Sequence, residues 1–437
     1  MRVRKLALSA VGSLALLGTV PAAQAIDIQA GDWTFTATGE INANYVYTAC
    51  DNQSTPTNFG GTVAGNVVGA CNVAGPVGEN DISGIRTGLL PGQLVFTAAT
   101  QQNGWDISGT FGLYPGIVTN DNLSPNVGPG NNVGLGTTGL DIRQVFLKFG
   151  NAEFGTVKAG RDFGLFGFDA IINDMTIPAV GVSSVAVASP GNTTLGSIGF
   201  GYIYTDTLSQ INYTTPDMDG FTWTIGIIQT IDSLTAGSTI GIGETAPGFQ
   251  TQFKYAWDGG FVSLNGVTLE VDGITDTRDG STDKNRVYGA DLNWKQSFGA
   301  IDILLSGYYT KGIGSVAYLF DSFDGAGNSR DSYGGLAQVT YTAGKNKFGV
   351  NYGESRLDDT GFDQDFYPNA VADNGDPVCV TGGNCLFKVN RKVTAGYYYS
   401  LTPNLTLTTE YSHAISEDHA NNNIDSDNVN VGAFFTF

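Results

Sequence analysis

The chain has 437 residues, 61 of them glycine, with 14% charged and 41% hydrophobic residues. Its 41 acids against 21 bases give a net charge of -20, which argues against a nucleic-acid binder, because phosphate recognition needs basic surface. Few Leu, Lys, Glu and Arg speak against a helical bundle, while 19 Tyr, 25 Phe and many Val, Ile and Thr suit strands. A mean hydropathy of -0.03 leaves no room for a bundle of apolar membrane helices.

Arg2, Arg4 and Lys5 precede an apolar stretch from Leu6 to Val20, and Ala23-Gln24-Ala25 offers small residues for cleavage. This pattern predicts a secretory signal peptide over 1–25, with the mature domain over 26–437. Its removal takes away three basic residues and no acid, so the mature charge is -23. Cys50 and Cys71, then Cys379 and Cys385, are two sequence-local pairs in polar, Gly-rich stretches of an exported chain. They are expected to form two loop-stapling disulfides, although four cysteines allow three pairings. Two histidines and no CxxC motif speak against a zinc site, and no metal centre is assigned.

Beyond residue 30 the chain alternates with period two. Sixteen strands are predicted, over 33–47, 92–102, 105–114, 140–149, 155–163, 208–215, 221–230, 249–257, 261–270, 286–296, 301–311, 332–342, 347–355, 387–400, 405–415 and 428–437. Their connections alternate between short ones, such as Asn103-Gly104 and Thr402 to Asn404, and long polar ones. A soluble sandwich also alternates apolar and polar residues, but it has no reason to place every long loop at one end. A transmembrane antiparallel β-barrel does, and it closes so that no backbone group is left unpaired in lipid. Aromatics near strand ends, as in Tyr397-Tyr398-Tyr399 and Phe434-Phe435, suit interfacial girdles.

Phe146 to Gly150, followed by Phe154-Gly155-Thr156-Val157-Lys158-Ala159-Gly160-Arg161-Asp162-Phe163-Gly164, resembles the fourth and fifth strands of the general trimeric porins of the Gram-negative outer membrane. Asn173-Asp174-Met175 is similar to the start of their pore-constricting third loop, and Gln210 to Pro216 with Gly220-Phe221 to the next hairpin. The resemblance implies a homotrimer of water-filled pores, each narrowed by a third loop folded inward with acids facing basic wall residues. Carried over, Asp169 and Asp174 are the constriction acids, and Phe437 is the C-terminal aromatic read by the barrel-insertion machinery. The family's acidic Pro-Glu-Phe-Gly-Gly segment is replaced by Pro178-Ala179-Val180-Gly181, and the loop continues apolar through Val182, Val185 and Val187. Arg161 matches an arginine at the family's subunit interface, with Asp121 of the second long loop as its expected partner across the trimer.

The polar face of each strand should line the lumen. That places Lys158, Lys254, Asp291, Asn293, Lys295, Lys388, Asn390 and Lys392 inward and Arg161 outward. Arg143 shares a face with Asp141 but also with Val145, Leu147 and Phe149, so both orientations stay open. Arg86, in or near the first long loop, is a further candidate for the pore wall.

Three patterns carry less. Gly134 to Gly139 matches GxGxxG but lies ahead of a strand, with no helix to meet a pyrophosphate. Ser412 and His413 are adjacent on one strand and face opposite ways, which speaks against a hydrolytic pair. The acid-rich stretches Asp276 to Asp283 and Asp425 to Asp427 offer weak Ca2+ binding near lipopolysaccharide phosphates, against the plainer reading of solvated loops. No cofactor and no enzymatic activity are expected. The expected function is passive diffusion of small hydrophilic solutes and ions with modest cation preference. The alternatives are a substrate-selective channel for one nutrient class and a plugged structural or adhesive barrel.

Overall fold

In the computed structural model, the described residues are 25–51, 81–117, 140–183, 193–231, 246–276, 278–366, 386–419 and 423–437. The strands are β1 (Ile26–Ala30), β2 (Trp33–Asp51), β3 (Ile82–Arg86), β4 (Gln93–Gln102), β5 (Trp105–Pro115) and β6 (Leu140–Asn151). Next come β7 (Gly155–Phe163), β8 (Thr207–Thr214), β9 (Phe221–Ile228), β10 (Gly248–Trp257), β11 (Gly260–Thr275) and β12 (Thr282–Phe298). The last six are β13 (Ile301–Lys311), β14 (Asp331–Ala343), β15 (Asn346–Leu357), β16 (Phe387–Thr402), β17 (Leu405–Asp418) and β18 (Asn423–Thr436). Two short helices, α1 (Phe168–Ile171) and α2 (Gly361–Phe366), lie between strands.

From β4 onward each strand pairs antiparallel with its successor, and β18 returns to pair with β2. The sheet therefore closes on itself and leaves no open edge. Two short strands complete wall positions rather than adding to them. β3 pairs with the upper part of β2 and β4 with its lower part, so together they form one interrupted wall strand. β1 pairs with residues 33–37 of β2, on the edge where β18 pairs with residues 40–51. The result is a closed sixteen-stranded antiparallel barrel.

The predicted strands all form. The structure adds β1 and β3, the latter inside a Gly-rich stretch, and it carries β11 and β12 several residues further into their loop. Arg86 accordingly ends a strand instead of lying in a loop. Local chemistry explains the tight connections. At Asn103-Gly104 both residues have positive φ, 51° and 81°, the geometry of a two-residue hairpin whose twist matches its strands.

The two faces of the wall are inside-out relative to a soluble protein. Ile211, Phe249, Leu292 and Val431 are 52%, 45%, 54% and 59% exposed, while Asn42, Asn293, Asn390 and Asn430 are completely buried. Apolar residues face outward to lipid and polar ones face inward, as a membrane barrel requires. No described helix is long and apolar enough to cross a membrane.

Candidate functional site

The segment joining β7 to β8 covers residues 164–206, of which 164–183 and 193–206 are described. Its backbone is held by side chains on the buried face of the wall. Gln250 accepts from the Leu165 amide at 3.0 Å, and Asp291 from that of Gly167 at 2.8 Å. Gln338 accepts from the Met175 amide at 2.7 Å and donates to the Asn173 carbonyl at 2.9 Å. Glu410 Oε2 accepts from Val180 and Gly181 at 3.0 and 2.7 Å. Ser355 accepts from Gly201 at 2.9 Å, and Asn390 donates to the Gly199 carbonyl at 3.2 Å. These contacts come from β10, β12, β14, β15, β16 and β17. An irregular segment satisfies its amides this way where it has no ladder of its own.

The segment is also packed by apolar contacts. Ala170, Ile171, Ile177, Val182, Leu195, Ile198 and Phe200 are buried in one cluster with Leu89, Val316 and Leu336. A second stretch, 312–330 between β13 and β14, contributes Ile313, Tyr318, Leu319 and Phe323 to a cluster with Phe166 and Ile203. The two stretches are joined where the Tyr204 amide donates to the Val316 carbonyl at 2.8 Å. Arg330, the last residue of the second stretch, ties it to α2 through a two-armed pair with Asp363 at 2.9 and 2.7 Å. Both partners are buried.

Two of the expected constriction residues meet. Lys254 Nζ lies 2.7 Å from Oδ1 of Asp169, whose Oδ2 accepts from Gln252 at 3.0 Å. Asp174 is instead locked among polar partners, accepting from the Thr176 amide, Asn351 and the Tyr202 hydroxyl at 3.0, 3.2 and 2.8 Å. Lys158 pairs at 2.5 Å with Asp162 of its own strand. Arg86 opposes the buried Asn44, and directly opposed residues share a face, so it points inward.

Arg143 is settled by a bulge. Gly112 pairs with Gln144 and Leu113 with Ile142, so Arg143 is an extra residue with no partner on β5. A bulge of this kind re-aims one side chain out of the strand's alternation. The guanidinium sits 5.1 Å from the Tyr114 ring centre, bonds Asp141 at 2.9 Å and reaches the Tyr204 hydroxyl at 3.4 Å. It therefore touches the 164–206 segment, while Val145 and Leu147 of the same nominal face are exposed. A second bulge overturns an expectation. Lys388 is skipped between Phe387 and Val389 in the pairing with β17, and it bonds Glu417 at 3.2 Å. It shares that acid with Arg391 and leaves the inner face to Asn390 and Lys392.

Arg161 is exposed, opposes Val145 on the outer face and donates to the Thr207 hydroxyl at 2.7 Å. Its expected partner Asp121 lies outside the described residues, as do Val185, Val187 and the Gly134 to Gly139 motif. Cys50 is disulfide-bonded, while Cys71, Cys379 and Cys385 lie outside the described residues. Phe437 exchanges both backbone hydrogen bonds with Gly39, at 2.8 and 2.9 Å. Asp276, in one of the two acid-rich stretches, has its carboxyl held down to about 2 by hydrogen bonds from the Arg278 side chain and amide.

Sequence reasoning missed Glu410, Gln338 and the 312–330 stretch as parts of the site. Glu410 stands on the polar side of its strand, which is legible. That it cradles two amides some 230 positions earlier is not.

A profile for Gram-negative porins matches residues 10–420. No curated protein matches the sequence. The fold is similar to the outer membrane channel DcaP of Acinetobacter baumannii, at 13% identity and a TM-score of 0.61, covering 94% of this chain and 99% of that one. It is also similar to Salmonella typhi OmpF solved with daunomycin, at 13% identity and a TM-score of 0.54, covering 94% and 100%. Pseudomonas putida OprB shares 12% identity with a TM-score of 0.51, covering 92% and 94%. Porins are passive channels of the outer membrane rather than enzymes, and with a barrel of this build and a profile match over nearly its whole length, the chain belongs to the Gram-negative porins.

Proposed function

We propose that the barrel lets small hydrophilic solutes and ions diffuse across the outer membrane through a lumen narrowed by the 164–206 segment. The observation that carries this is the ring of buried-face side chains, from β10 to β17, that binds the backbone of that one segment. A segment held from so many strands of a closed barrel crosses its interior. The Lys254–Asp169 pair and Arg143 against Tyr204 are where wall and segment charges meet. Acids outnumber bases over the chain, which draws cations to the mouth and gives a modest cation preference.

The working unit is a homotrimer in lipid and lipopolysaccharide, delivered by a cleaved signal peptide over 1–25 and inserted through the C-terminal Phe437. Arg161 on the outer face, with Asp121 of a neighbouring subunit, latches it. Acid-rich loops bind Ca2+ weakly at most. The apolar packing of the segment favours a second reading, a channel selective for one nutrient class.

Planar-bilayer recording tests the proposal. Conductance rising in steps of three supports an open trimeric pore. Insertion without conductance sinks it in favour of a plugged barrel. A reversal potential favouring chloride overturns the cation preference. An Arg161→Ala trimer that dissociates at the wild-type temperature in detergent removes the latch.

A further inference from the structure

Three aromatic rings follow one another where the 164–206 segment leaves β7. Tyr114 meets Phe163 edge-on at 6.3 Å, and Phe163 stacks on Phe168 at 5.7 Å with the planes 26° apart. Tyr114 is buried, whereas Phe163 and Phe168 are each only partly covered. The run is anchored to the inner wall through one polar chain. The Tyr114 hydroxyl donates to Gln144, Gln144 donates to Asp162, and Lys158 donates to the other oxygen of Asp162.

Cations flank the rings at both ends. Arg143 lies over Tyr114, and Lys254 bonds Asp169, the residue after Phe168. Lys148 stands directly opposite Lys158 in the ladder, on the same face. Lys295 reaches Asn173, four residues beyond Asp169, through the neutral amide oxygen at 3.0 Å. Among the described residues neither Lys148 nor Lys295 has an ion-pair partner, although Lys158, Lys254 and Arg143 do. Four lysines and one arginine therefore stand with Asp141, Asp162 and Asp169 around a partly open aromatic strip, and Asp302 of β13 lies near Lys295.

We propose that the Phe163–Phe168 strip with its flanking lysines is a subsite for small planar carboxylates, that is, aromatic monoacids. The ring of such a solute stacks on Phe163 and Phe168, and its carboxylate exchanges water for the Lys148 or Lys295 ammonium. A simple inorganic anion gains only the charge contact, and an aromatic amine gains only the ring contact and meets the Lys148 and Lys295 ammonium groups instead of an acid partner. The subsite rests on the channel reading above and names a solute class that such a pore would retain in passage. An overall cation preference set at the mouth is compatible with it, because the ring contact is what singles these acids out.

The test is current block in planar bilayers by benzoate, acetate and benzylammonium, each added to the trimer in potassium chloride. Benzoate is expected to interrupt the current at about tenfold lower concentration than either of the others, the ratio expected of one aromatic contact. Phe168→Leu, which keeps apolar volume and loses the ring, should remove most of that difference. Lys148→Gln should weaken benzoate and leave benzylammonium no worse. Heat-modifiable mobility in gels establishes that each variant is folded. Equal block by benzoate and acetate overturns the subsite, as does stronger block by benzylammonium. If no conductance steps occur at all, the channel reading falls, and saturation-transfer NMR of benzoate on the detergent-solubilised protein decides the subsite separately. Transfer lost in Phe168→Leu retains it, and absent or unchanged transfer removes it.

Discussion

Lys254 Nζ sits 2.7 Å from Asp169 Oδ1 and 4.2 Å from the centre of the Phe261 ring, so one ammonium ties β10 to helix α1 of the 164–206 segment. Asp169 is only 1% exposed, and its carboxylate depends on Lys254 for charge compensation. Lys254→Met should leave that negative charge uncompensated, and Asp169→Asn should free the ammonium. The expected outcome is a higher potassium-to-chloride permeability ratio in the first variant and a lower one in the second. A shift of roughly fivefold corresponds to ~1 kcal/mol, the Coulomb energy of two unit charges about 4 Å apart in water. Reversal potentials in a salt gradient check both signs.

Glu410 accepts from two consecutive amides, Val180 and Gly181, where the sequence has apolar residues in place of an acidic motif. Leaving a buried backbone amide without its acceptor costs ~1–3 kcal/mol. Glu410→Ala should therefore loosen the segment while the wall stays closed. Open-channel current noise should rise several-fold with unchanged heat-modifiable mobility. Quiet openings in that variant would show that the apolar cluster alone holds the segment.

Arg330 and Asp363 form a pair in which both side chains are buried. Removing one partner of such a pair costs ~3–5 kcal/mol locally, because the other charge is stranded. Arg330→Ala should release stretch 312–330 and α2, seen as faster hydrogen exchange in both.

The same pair sets a pH window. Burial opposes ionisation of Asp363, but the hydrogen bonds and charge of Arg330 outweigh it and hold the carboxyl below its ordinary value. A carboxyl depressed in the folded state contributes stability that is present above its ordinary value of about 3.9 and is lost as pH falls through the depressed one. Protease resistance of the 312–330 stretch should hold from neutral pH down to that value and disappear in stronger acid. In Asp363→Asn it should already be reduced at neutral pH.

Gly39 leaves room for the C-terminal ring. A Cβ built there would stand 2.4 Å from the Phe437 ring, closer than any tolerated contact. Gly39→Val should displace Phe437 from the β2 edge. Slower barrel closure is expected, measured as a larger share of heat-unmodified, unfolded protein after refolding. A normal folded share would mean that the ring can repack.

The period-two alternation carried the strand count and the orientation of most wall residues, because lipid on one side and water on the other impose opposite chemistry on neighbouring positions. It left Arg143 open and put Lys388 on the inner face, for one physical reason. Each is the extra residue of a bulge, and a bulge is a matter of pairing between two strands, which neither strand reveals alone. The Lys254–Asp169 meeting was legible as opposite charges on a wall strand and on the segment expected to cross the lumen. The bonds from Glu410, Asp291 and Gln338 were not, since their partners are backbone amides, which every residue type but proline supplies alike.

Between β3 and β4, six residues, 87–92, stand opposite only three of β2, 41–43, in the register on either side. The surplus leaves the ladder and is completed by the 164–206 segment, with one bond from β2 itself. The Leu89 amide donates to the Ala179 carbonyl at 2.8 Å, Thr194 donates to Gly88 at 3.1 Å, and Asn42 donates to Leu90. A Cβ on Gly88 would fall 1.9 Å from the Ala179 oxygen, so the two backbones are as close as they can come. The segment is thus not an insert placed in a finished tube. It is the mortar of one course of the wall, and a barrel emptied of it would stand with a seam of unpaired amides in its own side.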